Sequence, residues 1–320
     1  MSERQLSVRL FRADEAERWD EFVKLSVNGT FLHSRRFLGY HANRFEDLSL
    51  WVVDSDERLV GLMPAAIGAP TDVVDSHPGI TYGGLVHRGE LSGEKVLAAF
   101  EAAAGFYRSR GYASLRYRSI PRPYQLRPSD DDSYAMFRLG AVRSRVDLAA
   151  GFEIAARASV SHGRTYDLKL ATKAGIAVET RSSDWPGFWV VLQETLASRH
   201  GSRPVHTLDE IMLLSERFPE EIELVLCKSG DAIVAGAVLF HTARVTHTQY
   251  LASSPNGRAQ GALSKVMEVA ISRAQQLGRV WFSAGTNNED GGRILNSGLY
   301  QWKLSFGSGG FVHETFELRF

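Results

Sequence analysis

One order of secondary-structure elements occurs twice along this chain, and a repeat of that length dictates a fold in two parts. In the first pass, apolar alternation predicts a strand over 6–11, a helix over 14–25 with Trp19, Phe22 and Val23 on one face, and a short capped helix over 34–40. Residues 48–53 and 59–67, separated by the polar turn at Asp54 to Glu57, read as an antiparallel hairpin. Residues 73–86 are strand-like but interrupted by His77-Pro78-Gly79 and Gly83-Gly84; a helix over 92–110 and a strand over 112–118 follow, and polar, proline-rich sequence over 120–132 ends the pattern.

The second pass begins with a strand over 176–180 and helices over 185–199 and 208–217. Strands over 222–228, 232–241 and 245–252 follow, then a glycine-containing turn, a helix over 262–277 and a strand over 280–284. Setting Leu59 against Ile233 and Arg110 against Leu277 puts the two copies about 170 residues apart. The expected fold class is therefore α/β with mixed, α+β-type sheets. It comprises two halves, 1–145 and 146–320, packed side by side with the segment 143–173 crossing between them and a site in or near their cleft.

Composition narrows the class of partner. Lys plus Arg and Asp plus Glu both number 37, so no global field draws the chain to nucleic acid or anionic lipid. The single cysteine, Cys227, lies in the apolar run Glu223-Leu-Val-Leu-Cys227, which excludes an intrachain disulfide framework and reads as a buried strand residue. The ten histidines show no metal-ligand spacing, and no metal is expected. No stretch approaches the roughly 18 apolar residues of a membrane span and no apolar leader follows Met1, so the expectation is a cytoplasmic protein that does not bind membranes, as monomer or homodimer.

The turn Ser253-Ser-Pro-Asn-Gly257-Arg258-Ala-Gln-Gly261 joins a predicted strand to a predicted helix. Its main-chain N–H groups would converge at the positive end of the helix dipole, as a diphosphate cradle requires. An ordinary strand-to-helix turn has the same composition.

Arg258-Ala-Gln-Gly261-Ala262 resembles a degenerate form of the coenzyme A diphosphate motif of the Gcn5-related N-acetyltransferases (GNAT), with Leu263 where the last small residue of the motif stands. The run from Phe282 through Asn287, Asn288, Glu289, Asp290 and Asn296 to Tyr300-Gln-Trp-Lys303-Leu-Ser-Phe-Gly307 resembles the C-terminal signature of GNAT-type acyltransferases of amino-sugar and surface-polysaccharide biosynthesis. More distantly, it resembles the Fem-type peptidoglycan bridge enzymes. Arg199-His200, Arg203-Pro-Val-His206, His247-Thr-Gln249-Tyr250 and Ser76-His77-Pro-Gly-Ile-Thr-Tyr82-Gly83-Gly84 belong to the same resemblance, which covers most of 76–307. It implies acyl-coenzyme A on the C-terminal half, with Gly257, Arg258, Gly261, Ala262 and Asn296 as cofactor-binding residues. It also implies an acceptor amine, most readily that of a nucleotide-linked amino sugar, on the N-terminal half.

Amide formation from a thioester needs a positioned neutral amine, a donor to the developing oxyanion, and a group to take the amine's proton. His200 and His206 suit the last role because histidine titrates near neutrality, although a helix-capping histidine and a loop hydrogen-bonder would look the same. Glu289 is the alternative base, and Tyr250 a donor to oxyanion or thiolate unless it is a core aromatic. His77, Tyr82, Gly83, Gly84, Gln249, Asn287 and Lys303 are expected at the acceptor. The glycines would let a ligand approach a strand closely, with a β-bulge as the plain alternative, and Lys303 would pair with a phosphate or carboxylate unless it is a surface strand lysine. Arg164 and Lys173 are further phosphate candidates or solvent-facing helix cations.

Two rivals share these residues. One is a Fem-like transferase that takes its donor from aminoacyl-tRNA and acts on a peptidoglycan precursor; the other is a binding protein that keeps the fold without the chemistry.

Overall fold

The computed structural model describes residues 6–320, and for Arg199 and His200 the main chain alone. The chain divides into two compact units, one made of Met1–Asp147, Asp290–Ile294 and Val312–Phe320, the other of Leu148–Glu289 and Leu295–Phe311. It is a mixed α/β fold.

The elements up to the division are β1 (Ser7–Leu10), α1 (Ala16–Lys24), α2 (Arg35–Leu38), β2 (Leu50–Val53), β3 (Leu59–Met63), β4 (Ala66–Ile67), β5 (Val73–Asp75), β6 (Val86–His87), α3 (Glu94–Arg108), β7 (Ser114–Arg118), α4 (Asp131–Arg138) and β8 (Val142–Glu153). Then come α5 (His162–Lys173), β9 (Ala177–Glu179), α6 (Trp185–His200), α7 (Leu208–Arg217), β10 (Ile222–Ser229), β11 (Ala232–His241), β12 (Val245–Ser253), α8 (Pro255–Ala259), α9 (Ala262–Gln276) and β13 (Trp281–Thr286). The last are β14 (Asn288–Glu289), β15 (Ile294–Leu295), α10 (Ser297–Leu304) and β16 (Gly309–Arg319).

In the first unit, β1, β2, β3 and β6 form an antiparallel sheet. A second run pairs β4 with β5, β5 in parallel with β7, and β7 with Thr315 to Arg319 of β16. Helix α3 forms because Val96, Phe100, Ala103 and Tyr107 recur at helical spacing, and it buries that face against Leu50, Leu115, Tyr117 and Phe316. Burial of each such large side chain contributes about 2 kcal/mol. In the second unit the sheet order from residues 149–153 of β8 is β13, β12, β11, β10, β9, antiparallel except for the parallel pair β12 and β13. Val266, Met267, Ala270, Ile271 and Ala274 of α9 cover one of its faces.

The second unit also buries a charge. Glu223 of β10 accepts from Arg273 Nε and Nη2 of α9 at 2.9 and 3.0 Å and lies 3.3 Å from His241 Nε2, whose Nδ1 is 2.9 Å from Thr246 Oγ1. Burial opposes ionisation, yet the hydrogen bonds from His241 and Arg273, together with the Arg273 charge, hold the carboxyl down at about 2.

Several elements differ from those predicted. Residues 73–86 are not one strand: after β5 the chain runs from Ser76 to Leu85 as a loop, buried but for half-buried Pro78 and Gly79 and exposed Thr81, because the glycines and Pro78 cannot sustain a ladder. The segment 143–173 is a strand followed by a helix, β8 and α5. Lys303 lies on α10 and is buried, not on a surface strand.

Candidate active site

Strands β12 and β13 pair in parallel over three rungs, Val245 with Trp281, Thr246 with Phe282 and His247 with Ser283. Among the described residues the ladder ends there, while β12 continues to Ser253 and β13 to Thr286. The two strands thus open into a wedge whose facing main-chain groups have left their ladder. At its mouth β12 carries a β-bulge: Leu239 of β11 faces Thr248 and Val238 faces Tyr250, so Gln249 is the inserted residue.

Polar side chains gather at this opening. His247 Nδ1 lies 3.0 Å from Ser283 Oγ, Thr248 Oγ1 donates to the Ser283 carbonyl at 3.4 Å, and the Gly285 N–H donates to Ser283 Oγ at 3.3 Å. Lys303 reaches in from α10 and donates through Nζ to the carbonyls of Gly285 and Thr286 at 3.1 and 2.8 Å. Gly285 faces His247 Cε1, Lys303 Nζ and the Thr248 carbonyl. Burial pushes the Lys303 ammonium down to about 7, because its partners are neutral carbonyls that offset little of the lost hydration. Such an amine can donate to a developing oxyanion or exchange a proton at neutral pH.

Two of the expected catalytic residues meet elsewhere in the same unit. His206 precedes α7, whose amino end is closed by a capping box between Thr207 and Glu210. Tyr250 Oη accepts from the His206 main-chain N–H at 3.1 Å and lies 2.7 Å from His206 Nδ1. The phenol and the imidazole thus share one hydrogen bond beside the one from the main chain. Trp189 of α6 meets the Tyr250 ring edge-on at 5.5 Å, and burial raises the Tyr250 phenol above its ordinary value. The side chain of His200 lies outside the described residues.

Other expected ligands serve the chain itself. Asn287 donates from N and Nδ2 to the Leu148 carbonyl at 3.0 and 2.9 Å, extending β13 onto β8, while its Oδ1 is buried without a partner. Asn296 caps α10 by accepting from Leu299 N at 3.0 Å and donates to the exposed Glu289 carboxylate at 3.0 Å. In the proposed cradle, Gly257 is buried under the Val234 carbonyl, and Arg258 donates to the Ser253 carbonyl. Ala262 is the first, buried residue of α9. Gly261 has φ +73°, and a Cβ there would lie 2.1 Å from the Asp167 carbonyl of α5. Arg164, a phosphate candidate, is paired with Asp167 at 2.8 Å, whereas Lys173 is exposed.

In the first unit the stretch from Ser76 to Gly84 is packed from both sides. His77 is buried with φ +65°, its ring 5.4 Å from that of His41, and burial together with the charge of His41 pushes it down to about 3. Tyr82 is buried against Tyr124 at 4.8 Å and donates to Thr30 Oγ1 at 3.3 Å. His33 Nδ1 accepts from Thr30 N at 2.9 Å, so Nε2 carries the proton it donates to the Gly83 carbonyl at 2.7 Å. A Cβ on Gly83 would stand 1.9 Å from the Ser76 carbonyl, and Gly84 has φ +99°. The glycines thus let the chain approach itself. Sequence reading placed His247 and Ser283 within the resemblance and gave them no role; the signal it lacked is the point where two parallel strands part.

Residues 161–303 match an acetyltransferase (GNAT) domain. FemX aligns over 98% of this chain and 97% of its own at 14% identity, with a TM-score of 0.68. The chain has a GNAT/Fem-like fold. A tandem GNAT protein from the clavulanic acid biosynthesis pathway aligns over 99% of this chain and 98% of its own, with 12% identity and a TM-score of 0.53. The C-terminal domain of a putative lysylphosphatidylglycerol synthetase from Agrobacterium fabrum covers 96% of this chain and 92% of its own at 12% identity, with a TM-score of 0.61. No curated protein matches the sequence. The GNAT domain as matched holds the wedge, the His206–Tyr250 pair, α5 and Lys303. Among the described residues no helix is long and apolar enough to cross a membrane.

Proposed function

We propose that this GNAT/Fem-like protein is an N-acyltransferase that places the carbonyl of an acyl donor in the wedge between β12 and β13. The observation that carries this reading is the buried Lys303 amine at the end of β13, beside a strand pair that opens at His247 and Ser283. Lys303 and the main chain near the bulge at Gln249 supply donors to the oxyanion, and His206 held by Tyr250 is the candidate to take the amine's proton. In the resulting step the amine nitrogen bonds to the acyl carbon, the thioester carbon–sulfur bond breaks, and the amine's proton leaves with the thiol. The sequence resemblance supports acyl-coenzyme A as donor, held by the C-terminal half, and the amine of a nucleotide-linked amino sugar as acceptor, with a cytoplasmic place of action.

A second reading, aminoacyl transfer from tRNA to a peptidoglycan precursor, is favoured by one observation. Helix α5 sits on the amino end of α9, where a coenzyme A diphosphate would bind. The deciding experiment incubates the purified protein with acetyl-coenzyme A and a panel of nucleotide-linked amino sugars and follows thiol release together with amide product. Transfer dependent on Lys303 supports the first reading. Thiol release in no case, with amide formed from aminoacyl-tRNA instead, replaces it with the second.

A further inference from the structure

In a strand–turn–helix anion site the donors are the first main-chain N–H groups of the helix, aided by its dipole. In this chain α5 is packed against that place. The amino end of α9 has no side-chain cap of its own, and α5 lies directly on it. The Asp167 carbonyl occupies the space beside Gly261, and Ser264, in the first turn of α9, donates to Asp167 Oδ2 at 2.7 Å. Arg164 holds both partners, donating to Ser264 Oγ at 3.0 Å and pairing with Asp167 at 2.8 Å. A carboxylate at a helix amino end offsets the dipole as a phosphate would.

The contact is anchored along its length. Arg157, ahead of α5, donates to Glu268 of α9 at 3.0 Å and to the Phe306 carbonyl at 2.8 Å. Ala158 N and Ser161 N donate to the carbonyls of Gly307 and Ser305 at the end of α10. Helix α5 and its lead-in therefore bind to the amino end of α9 and the carboxyl end of α10 at once.

We infer that α5, with Asp167 as its anion, is the resident occupant of the diphosphate seat, and that the donor is recognised by its acyl group and thioester arm in the β12/β13 wedge alone. The inference rests on the proposed N-acyl transfer and narrows its donor: the nucleotide end of coenzyme A contributes nothing to recognition, so a pantetheine thioester serves as well as a coenzyme A thioester.

Hydrogen exchange on the full chain, with coenzyme A and pantetheine as probes, tests this. The expected result is the same slowing by both probes around 247–252 and 283–286, with exchange at 262–264 unchanged. Slowing of 262–264 by coenzyme A and not by pantetheine overturns the inference. So does a preference of about tenfold or more in kcat/KM for acetyl-coenzyme A over acetyl-pantetheine. If neither probe slows exchange anywhere, recognition by the thioester arm falls together with the acyl-coenzyme A part of the proposed function, whereas slowing of 262–264 by coenzyme A alone overturns the inference and leaves that function standing, which separates the two failures.

Discussion

The Lys303 ammonium donates to the Thr286 carbonyl at 2.8 Å, so a cation carried by α10 closes the end of β13. Its ordinary value is 10.5 and burial brings it to about 7. Between these two values the unfolded chain binds a proton that the folded chain has released, so folding stability rises with pH across that window. Below pH 7 the full cost of burying the charge is present. Lys303→Met removes both the cost and the donor. Calorimetric melting should show the rise between pH 7 and 10 flattened, and kcat should fall by about 100-fold with the fold intact. Unchanged turnover would take Lys303 out of the reaction.

Tyr250 spends its hydroxyl on His206, and Tyr250→Phe removes both of these hydrogen bonds. A loss of about 1 kcal/mol in urea unfolding is expected. If the pair handles the amine's proton, kcat drops while the KM for the donor holds. A variant that loses stability but keeps kcat would make the pair structural.

The buried Glu223 carboxylate is held at about 2, below its ordinary 4.5. Its stabilising contribution is present above pH 4.5 and is lost as pH falls from there toward 2. Glu223→Gln leaves Arg273 without its counter-ion and should cost about 3 kcal/mol at neutral pH. It should also flatten the acid limb of melting temperature against pH; an unchanged limb would show that other carboxylates set it.

Glycine at 83 is a packing requirement. Gly83→Ala drives a Cβ into the Ser76 carbonyl and should cost about 3 kcal/mol or more. Gly105, inside α3 with nothing within 4 Å of its Cβ position, is the control: Gly105→Ala should stabilise by about 0.5 to 1 kcal/mol. Equal effects on melting temperature would refute the packing account.

What the sequence revealed follows from the range of its signals. The hairpin β2–β3, the helices α3 and α9 and the run β10 to β12 are written in local periodicity, and all were legible. Strand β8 was not, because it begins with alternating charges at Arg143 and Arg145 and runs on through Ala149-Ala-Gly151, which carries no pattern. At the site, Lys303 and the His206–Tyr250 pair were named beforehand, the latter without its geometry. Gly261 has the composition of a ligand cradle, yet its neighbour is Asp167, 94 positions away in sequence, and no local rule sees that contact.

The last strand has a consequence for synthesis. Residues 315–319 of β16 pair with β7, and Phe316 and Leu318 enter the core built on α3. During translation the first unit must therefore wait, with β7 unpaired on that side and its core incomplete, until nearly two hundred further residues have been made. The unit whose strands come earlier in this sequence is thus among the last to become stable, and loss of residues 315–319 would damage it far from the lesion in sequence.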